Sequence, residues 1–290
     1  MIEKGNGIWH ISHILKNNNN ISSQKFFYYS CSLQNKVHAT KAIQYGEYKI
    51  NKYESLYSVC KKILNGNVLI HKIVFPEGLS TYQVVQMINN ENYLSGDALD
   101  YQIEGSLMPS TYFFTKGMTK QDMLQKMIHE MDIFVKNAWK GRNKEFLNSY
   151  GIKNIENLIT LASIIEKETA DPKERNLIAG LYYNRLKINM PLQADPTVQY
   201  GVTHGMDLDR IITRDDYKIK NNYNTYQKYG LPVGPICNPG KDSIVATLNP
   251  TMSKYLYFVV KPNSKSHIFA ETFRDHQNNV IQYKRHKYAK

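Results

Sequence analysis

Cysteine is scarce in this chain of 290 residues, which carries only Cys31, Cys60 and Cys237. They lie far apart, match no zinc spacing and leave an odd thiol if any two pair, so three free, buried cysteines are expected and a disulfide framework is not. The nine histidines include no i, i+4 pair. His10 and His13 stand three apart on a predicted helix and are expected to serve packing or the surface, so neither a metal nor a cofactor is expected. Long apolar runs are missing too: none reaches the roughly 18 residues of a membrane span, and the opening MIEKGNGIW has no signal-peptide core. On this evidence the chain reads as soluble. No arginine-rich tract and no nucleic-acid signature occur, which disfavours nucleic-acid binding.

What the chain has in quantity is hydrophobic residues, 42%, and positive charge, with 37 Lys and Arg against 25 Asp and Glu for a net +12. The first suffices for one large or two modest domains. The second suits an anionic partner, whether nucleic acid, acidic headgroups or a carboxylate-bearing polymer, and charge alone does not choose among them.

Three segments of the first ninety residues, GNGIWHISHILKNNNNI, YESLYSVCKKILNGNVL and EGLSTYQVVQMINNENYL, share a turn-like opening, a helical apolar pattern and an Asn-rich stop. Between them Ala42–Ile50 and Val68–Gly78 have the β-branched and aromatic content of strands. Further on, TKQDMLQKMIHEMDIFVKNAWKG predicts a long amphipathic helix capped by Thr119 and stopped at Gly141, and NIENLITLASIIEKET a second, more apolar one central to the fold. A third is predicted from DPKERNLIAGLYYNRLKINM, with Asp171 as N-cap, Pro172 in the first turn and Glu174 closing a capping box. Beyond Pro191 the chain reads as loops, PLQADPTVQYG and YNTYQKYGLPVGPICNPG, then a helix from Lys241 to Leu248 and strands at YLYFVV and SHIFA.

The second helix ends in two glutamates. On a helical wheel Glu168 lies over Ile164 and Ile165, and Glu166 over Ala162 and Ser163. Desolvation and the negative end of the helix dipole both favour a protonated Glu168. Periodicity leaves two readings open, a catalytic acid or a solvated helix end.

LASIIEKETADPKERNLIAGLYYNRLKINMPLQADPTVQYG, YNTYQKYGLPVGPICNPGKDSIVATLNP and YLYFVVKPNSKSHIFAETFRDH together resemble the endolytic murein transglycosylases, the YceG-like proteins, and the resemblance extends over nearly the whole chain. It implies that Glu168, second acid of the E-K-E-T motif, is the catalytic acid and that Glu166 supports it. It implies cleavage of the β-1,4 bond between N-acetylmuramic acid and N-acetylglucosamine within glycan strands, leaving a 1,6-anhydromuramyl end. Gln193, Asp195, Asn224 and Tyr226 resemble the family's substrate-binding cleft residues; read by themselves they are equally a turn, a helix cap and packing. Glu104 and Tyr112 belong to a matching EGSLMPSTY motif that departs from the family at Ser110, where an acidic residue is frequent.

The resulting expectation is an α+β fold with small N-terminal helix-strand, LysM-like modules in residues 1–95, followed by a mainly helical catalytic domain with a few strands in residues 96–290. In the first region Tyr45, Tyr48 and Tyr53 can stack on sugars or pack on a sheet. The expected partners are peptidoglycan glycan strands and peptidoglycan synthases. Family members have a transmembrane helix just ahead of the segment that IEKGNGIWHISHILK resembles, so an anchor missing from this sequence and a periplasmic site at the inner membrane are expected. A non-catalytic glycan-binding scaffold for wall assembly is the alternative on the same fold.

Overall fold

The computed structural model describes residues 1–3, 5–38, 43–208 and 210–288, with the backbone alone for 36–38, 287 and 288. Its described part is α+β, mostly helical, with two small two-stranded sheets. The chain divides into two compact units.

The first unit comprises Met1–Ile73, Glu91–Asp97 and Thr111–Lys120. Its helices are α1 (Ile8–Asn17), α2 (Gln24–His38) and α3 (Leu56–Leu64). The i, i+4 spacing of Ile11 and Leu15 gives α1 one inward stripe, which packs with Phe27, Cys31, Val59, Cys60 and Ile63. Ser55 caps α3 by accepting the Ser58 N–H at 3.2 Å. Cys31 and Cys60 are joined in a disulfide across α2 and α3, with Cα atoms 5.5 Å apart. This corrects the expectation of three free thiols: counting fixes parity, but helix packing decides which cysteines meet. Only Cys237 is free, and it is buried.

Strand β1 (Ile70–Val74) pairs with β2 (Thr111–Thr115). The strand expected over Ala42–Ile50 is not formed in the described part; Ala42 itself lies outside it. The segment makes a single bridge, Gly46 to Ile2, because Gly46 at φ 137° breaks the extended run.

The second unit comprises Val74–Asn90, Ala98–Ser110 and Gln121–Lys290. It holds α4 (Thr81–Asn89), α5 (Lys120–Lys140), α6 (Lys144–Ser149), α7 (Ile155–Glu168), α8 (Arg175–Lys187), α9 (Asp195–Thr203), α10 (Lys241–Leu248), β3 (Tyr257–Val260), β4 (His267–Ala270) and α11 (Phe273–Tyr288). Strands β3 and β4 are antiparallel, with Tyr257 opposite Ala270 and Val260 opposite His267.

Helix α7 starts where Asn154 accepts the Asn157 N–H at 2.8 Å, and every residue from Leu158 to Ile165 is buried. A helix buried all round is a core helix, and each of its Leu and Ile side chains contributes about 1.5–3 kcal/mol. It packs against α8 and α10. Helix α8 comes within van der Waals contact of the Thr251 carbonyl, where a Cβ on Gly180 would sit 2.0 Å from that oxygen. It begins later than expected. Asp171 caps a turn, accepting the Lys173 N–H at 3.0 Å, and the Glu174 carboxylate is taken by the His267 backbone N–H at 2.8 Å and ring Nδ1 at 2.7 Å. That long-range partner replaces the expected capping box. The segment PLQADPTVQYG, expected to be loop, contributes most of α9, whose start has proline in the first turn.

Candidate active site

Helix α7 stops at Glu168 because Thr169 is extended, at φ −142° and ψ 136°. Two residues along a helix is about 200° of rotation, so its two glutamates enter different surroundings. The Glu166 carboxylate accepts the Gly240 N–H at 2.8 Å and meets Arg175 Nη2 at 3.4 Å. Arg175, itself buried, also meets Glu77 at 3.6 Å and Asp242 at 3.3 Å. Gly240 lies so close that a Cβ there would fall 1.9 Å from Glu77 Oε1. Glu166 thus ties the start of α10 to the end of α7.

Glu168 is half-buried and hydrogen-bonds the hydroxyl of buried Tyr182 from α8. Burial pushes its carboxyl up to about 7; the Tyr182 bond opposes the rise, the negative charge of Asp195 adds to it and Arg185 opposes it. A carboxyl with that value holds its proton near neutrality and can also release it.

Asp195 is exposed at the start of α9. It accepts the Tyr226 hydroxyl at 2.6 Å and a second hydroxyl from Tyr217. Tyr226 also feels the Glu168 charge, so Glu168, Asp195 and Tyr226 share one neighbourhood. Gln193 is exposed in the left-handed region at φ 48°, held there as its N–H donates to the Thr225 carbonyl at 3.2 Å. A non-glycine residue in that region is strained, and such strain gathers at functional sites.

Asn224 is fully buried. Its Nδ2 donates to the carbonyls of Tyr217 at 3.1 Å and Ile219 at 2.8 Å, and its Oδ1 accepts the Tyr226 N–H at 3.0 Å. The amide therefore fixes the loop that presents Tyr226 and turns away from solvent. Arg185 does the corresponding work for Gln193: Nη1 donates to the Leu192 carbonyl at 2.6 Å and Nε to the Leu256 carbonyl at 2.7 Å.

Tyr182, Arg185, Tyr217 and Glu77 are parts of this neighbourhood that sequence reasoning missed. One signal was present for two of them: Tyr182 and Arg185 stand three apart in LYYNRLK, where polar groups interrupt an otherwise buried helix face.

Glu168 lines a cavity of about 400 Å³ with Glu77, Gly78, Glu166, Lys167 and Arg175. Gly78 and Lys167 also line a smaller hollow reaching Tyr200 and Met206. Those two residues border a third space, of about 520 Å³, that contains Glu104. Glu104 accepts the Thr81 N–H at 2.8 Å, and burial pushes its carboxyl up. Elsewhere, Tyr45 and Tyr53 are exposed, Tyr48 packs on the first unit's core and Tyr112 is buried. Among the described residues no group of three or more His, Cys, Asp or Glu is placed to hold a metal.

The chain is similar to an endolytic murein transglycosylase of Bacillus subtilis, 31% identical over 97% of this chain and 83% of that protein. It is similar to a Streptococcus pneumoniae protein of the same name, 34% identical over 63% of this chain but only 32% of the relative's length. A crystal structure of a yceG-like protein from Listeria monocytogenes superposes with a TM-score of 0.56 at 27% identity, covering 96% of this chain and 97% of that one. The profile of the YceG-like family matches residues 1–282, and the chain belongs to that family.

Proposed function

We propose that this chain is an endolytic peptidoglycan lytic transglycosylase, a lyase that cuts the β-1,4 bond between N-acetylmuramic acid and N-acetylglucosamine and limits strand length. The observation that carries the reading is the half-buried Glu168, its carboxyl raised to about 7, lining a cavity of about 400 Å³. An endolytic enzyme must hold sugar on both sides of the scissile bond, and further hollows bordered by Gly78, Lys167, Tyr200 and Met206 lie beside this cavity. Protonated Glu168 donates to the leaving glycosidic oxygen. The resulting carboxylate then takes the proton from the muramyl 6-hydroxyl as that oxygen closes on its own anomeric carbon, so one group serves as acid and then base. Because the sugar supplies the nucleophile, no second carboxylate is needed to activate water.

Asp195, held by Tyr226 and Tyr217, is assigned the electrostatic stabilisation of positive charge developing at the anomeric carbon. Gln193 and Tyr226 are assigned to binding of the sugar's polar groups, and Glu166 and Asn224 to positioning. Residues 96–290 form the bulk of the catalytic domain in this reading, and Val74–Asn90 of the same compact unit adds Glu77 and Gly78 to the cavity. Residues 1–95 include a LysM-like module, in which exposed Tyr45 and Tyr53 offer stacking faces. The Cys31–Cys60 disulfide supports a compartment outside the reducing cytosol. We place the enzyme on the periplasmic side of the inner membrane, with peptidoglycan synthases as partners. No described helix is long and apolar enough to cross a membrane.

The test is digestion of purified glycan strands in oxygen-18 water. Anhydromuramyl ends without incorporated label are expected, and Glu168→Gln should abolish them. Reducing, labelled muramyl ends would mean hydrolysis, with Asp195 as base, and would refute the mechanism. Strand binding without any cleavage would favour the scaffold.

A further inference from the structure

Helix α2 presents apolar side chains on two sides. Phe27 and Cys31, four apart, face the first unit's core. Phe26, Tyr29 and Leu33, at i, i+3 and i+7, form an opposite stripe and are 62, 68 and 67% exposed. The stripe does not stand alone. Tyr29 meets Tyr28 with ring centroids 5.3 Å apart, and Tyr28 meets Trp9 of α1 at 5.2 Å, and Trp9 is 53% exposed. Four large apolar side chains are thus exposed on one pair of adjacent helices. A patch of this kind on a folded unit marks a surface that is covered when the protein works.

The charge around the patch says what covers it. No Asp or Glu occurs between Glu3 and Glu47, a stretch with five lysines. Lys25 precedes Phe26, and Lys16 lies on the same exposed face of α1 as Trp9, seven residues on. A second copy would bring like charges together across a twofold contact, which is unfavourable. A sugar platform needs flat rings flanked by hydrogen-bonding groups, whereas Phe26 and Leu33 offer none. Aromatic and aliphatic side chains beside lysines on helices that lack acids are the chemistry of an interface with an anionic bilayer.

We propose that the α1–α2 face docks on an anionic lipid surface, with Trp9, Phe26, Tyr29 and Leu33 entering the headgroup region and Lys16 and Lys25 meeting lipid phosphates. The site is separate from Glu168 and does not depend on the reaction assigned to it.

The experiment uses the full chain with Trp139→Phe, which leaves Trp9 as the only tryptophan. It is mixed with phosphatidylcholine vesicles, with and without phosphatidylglycerol, whose acyl chains carry bromine. Quenching and a blue shift of Trp9 emission are expected only with phosphatidylglycerol. Replacing Phe26, Tyr29 and Leu33 by Ser should weaken partitioning by at least about tenfold, and Lys16→Gln and Lys25→Gln by about fivefold each. Because these side chains are on the surface, the circular dichroism spectrum and the cleavage of short soluble glycans should stay as in the parent. Three results would overturn the proposal: no quenching by either vesicle, equal partitioning of the triple Ser variant, or protection of Trp9 by wall sacculi or by self-association in place of vesicles.

Discussion

Replacing Glu168 by Gln should abolish cleavage and at the same time stabilise the fold as pH rises above about 4.5, with the full gain reached above about 7. The Gln side chain keeps an oxygen to accept the Tyr182 hydroxyl, and it can neither donate an acid proton nor acquire charge. The carboxyl it replaces sits at about 7 where 4.5 is ordinary. A raised value means that the folded state favours the protonated form, so the stability Glu168 contributes is complete below pH about 4.5 and is lost as pH rises through about 7. At 1.36 kcal/mol per unit of pH, forcing the charged form into the fold costs about 3 kcal/mol above that range. Urea unfolding of parent and Glu168→Gln from acid to alkaline pH should therefore give curves that nearly coincide near pH 4 and separate by about 3 kcal/mol by pH 8. The parent's kcat/KM should fall with pH over the same upper range, as the acid loses its proton. A difference in stability that does not vary with pH would refute the argument, since it would mean that Glu168 titrates alike in folded and unfolded chains.

Glu166→Gln should keep measurable cleavage yet cost about 1–3 kcal/mol in thermal or urea unfolding, because it weakens the bond from the Gly240 N–H and takes one carboxylate from buried Arg175. Tyr226→Phe removes the 2.6 Å bond to Asp195 and should lower kcat roughly tenfold with little change in unfolding, measured by anhydro-product formation. Replacing both Cys31 and Cys60 by Ser opens a link spanning 29 residues and should cost about 3–4 kcal/mol in urea unfolding, with short-glycan cleavage retained. Raising salt from about 0.1 to 1 M should weaken vesicle or sacculus binding much more than short-glycan turnover, since the Debye length falls from about 10 to 3 Å.

Elements whose apolar residues recur on one face were legible in the sequence. The helices at 120–140, 155–168 and 241–248 and the strands near 257 and 267 lie where the pattern predicts them. The missed elements carry a different kind of pattern. Helix α11 contains few apolar residues, and α2 has them on both sides, so neither shows a single stripe. Helix α9 follows a run of loop-forming residues, and its Pro196 reads equally as a breaker or as the first turn. Contacts between distant residues left even less trace. Cys31 with Cys60, Glu174 with His267 and Asp195 with Tyr226 are pairs that the packing of helices brings together.

The E-K-E-T motif shows how little separation chemistry needs. Both glutamates follow the same apolar run, and both are withdrawn from bulk water. What divides them is the partner each finds. Glu166 meets the Arg175 guanidinium and the Gly240 N–H, and those contacts fix two helix ends together. Glu168 owes its raised carboxyl first to burial; the Tyr182 hydroxyl opposes the rise, the charge of Asp195 adds to it, and Arg185 opposes it through its charge without forming an ion pair with the carboxylate. An acid that must give its proton away and take one back cannot also be pinned by a permanent cation. The two-residue spacing of the carboxylates supplies that division, since about 200° of helical rotation turns one toward Arg175 and the other toward Tyr182 and Asp195.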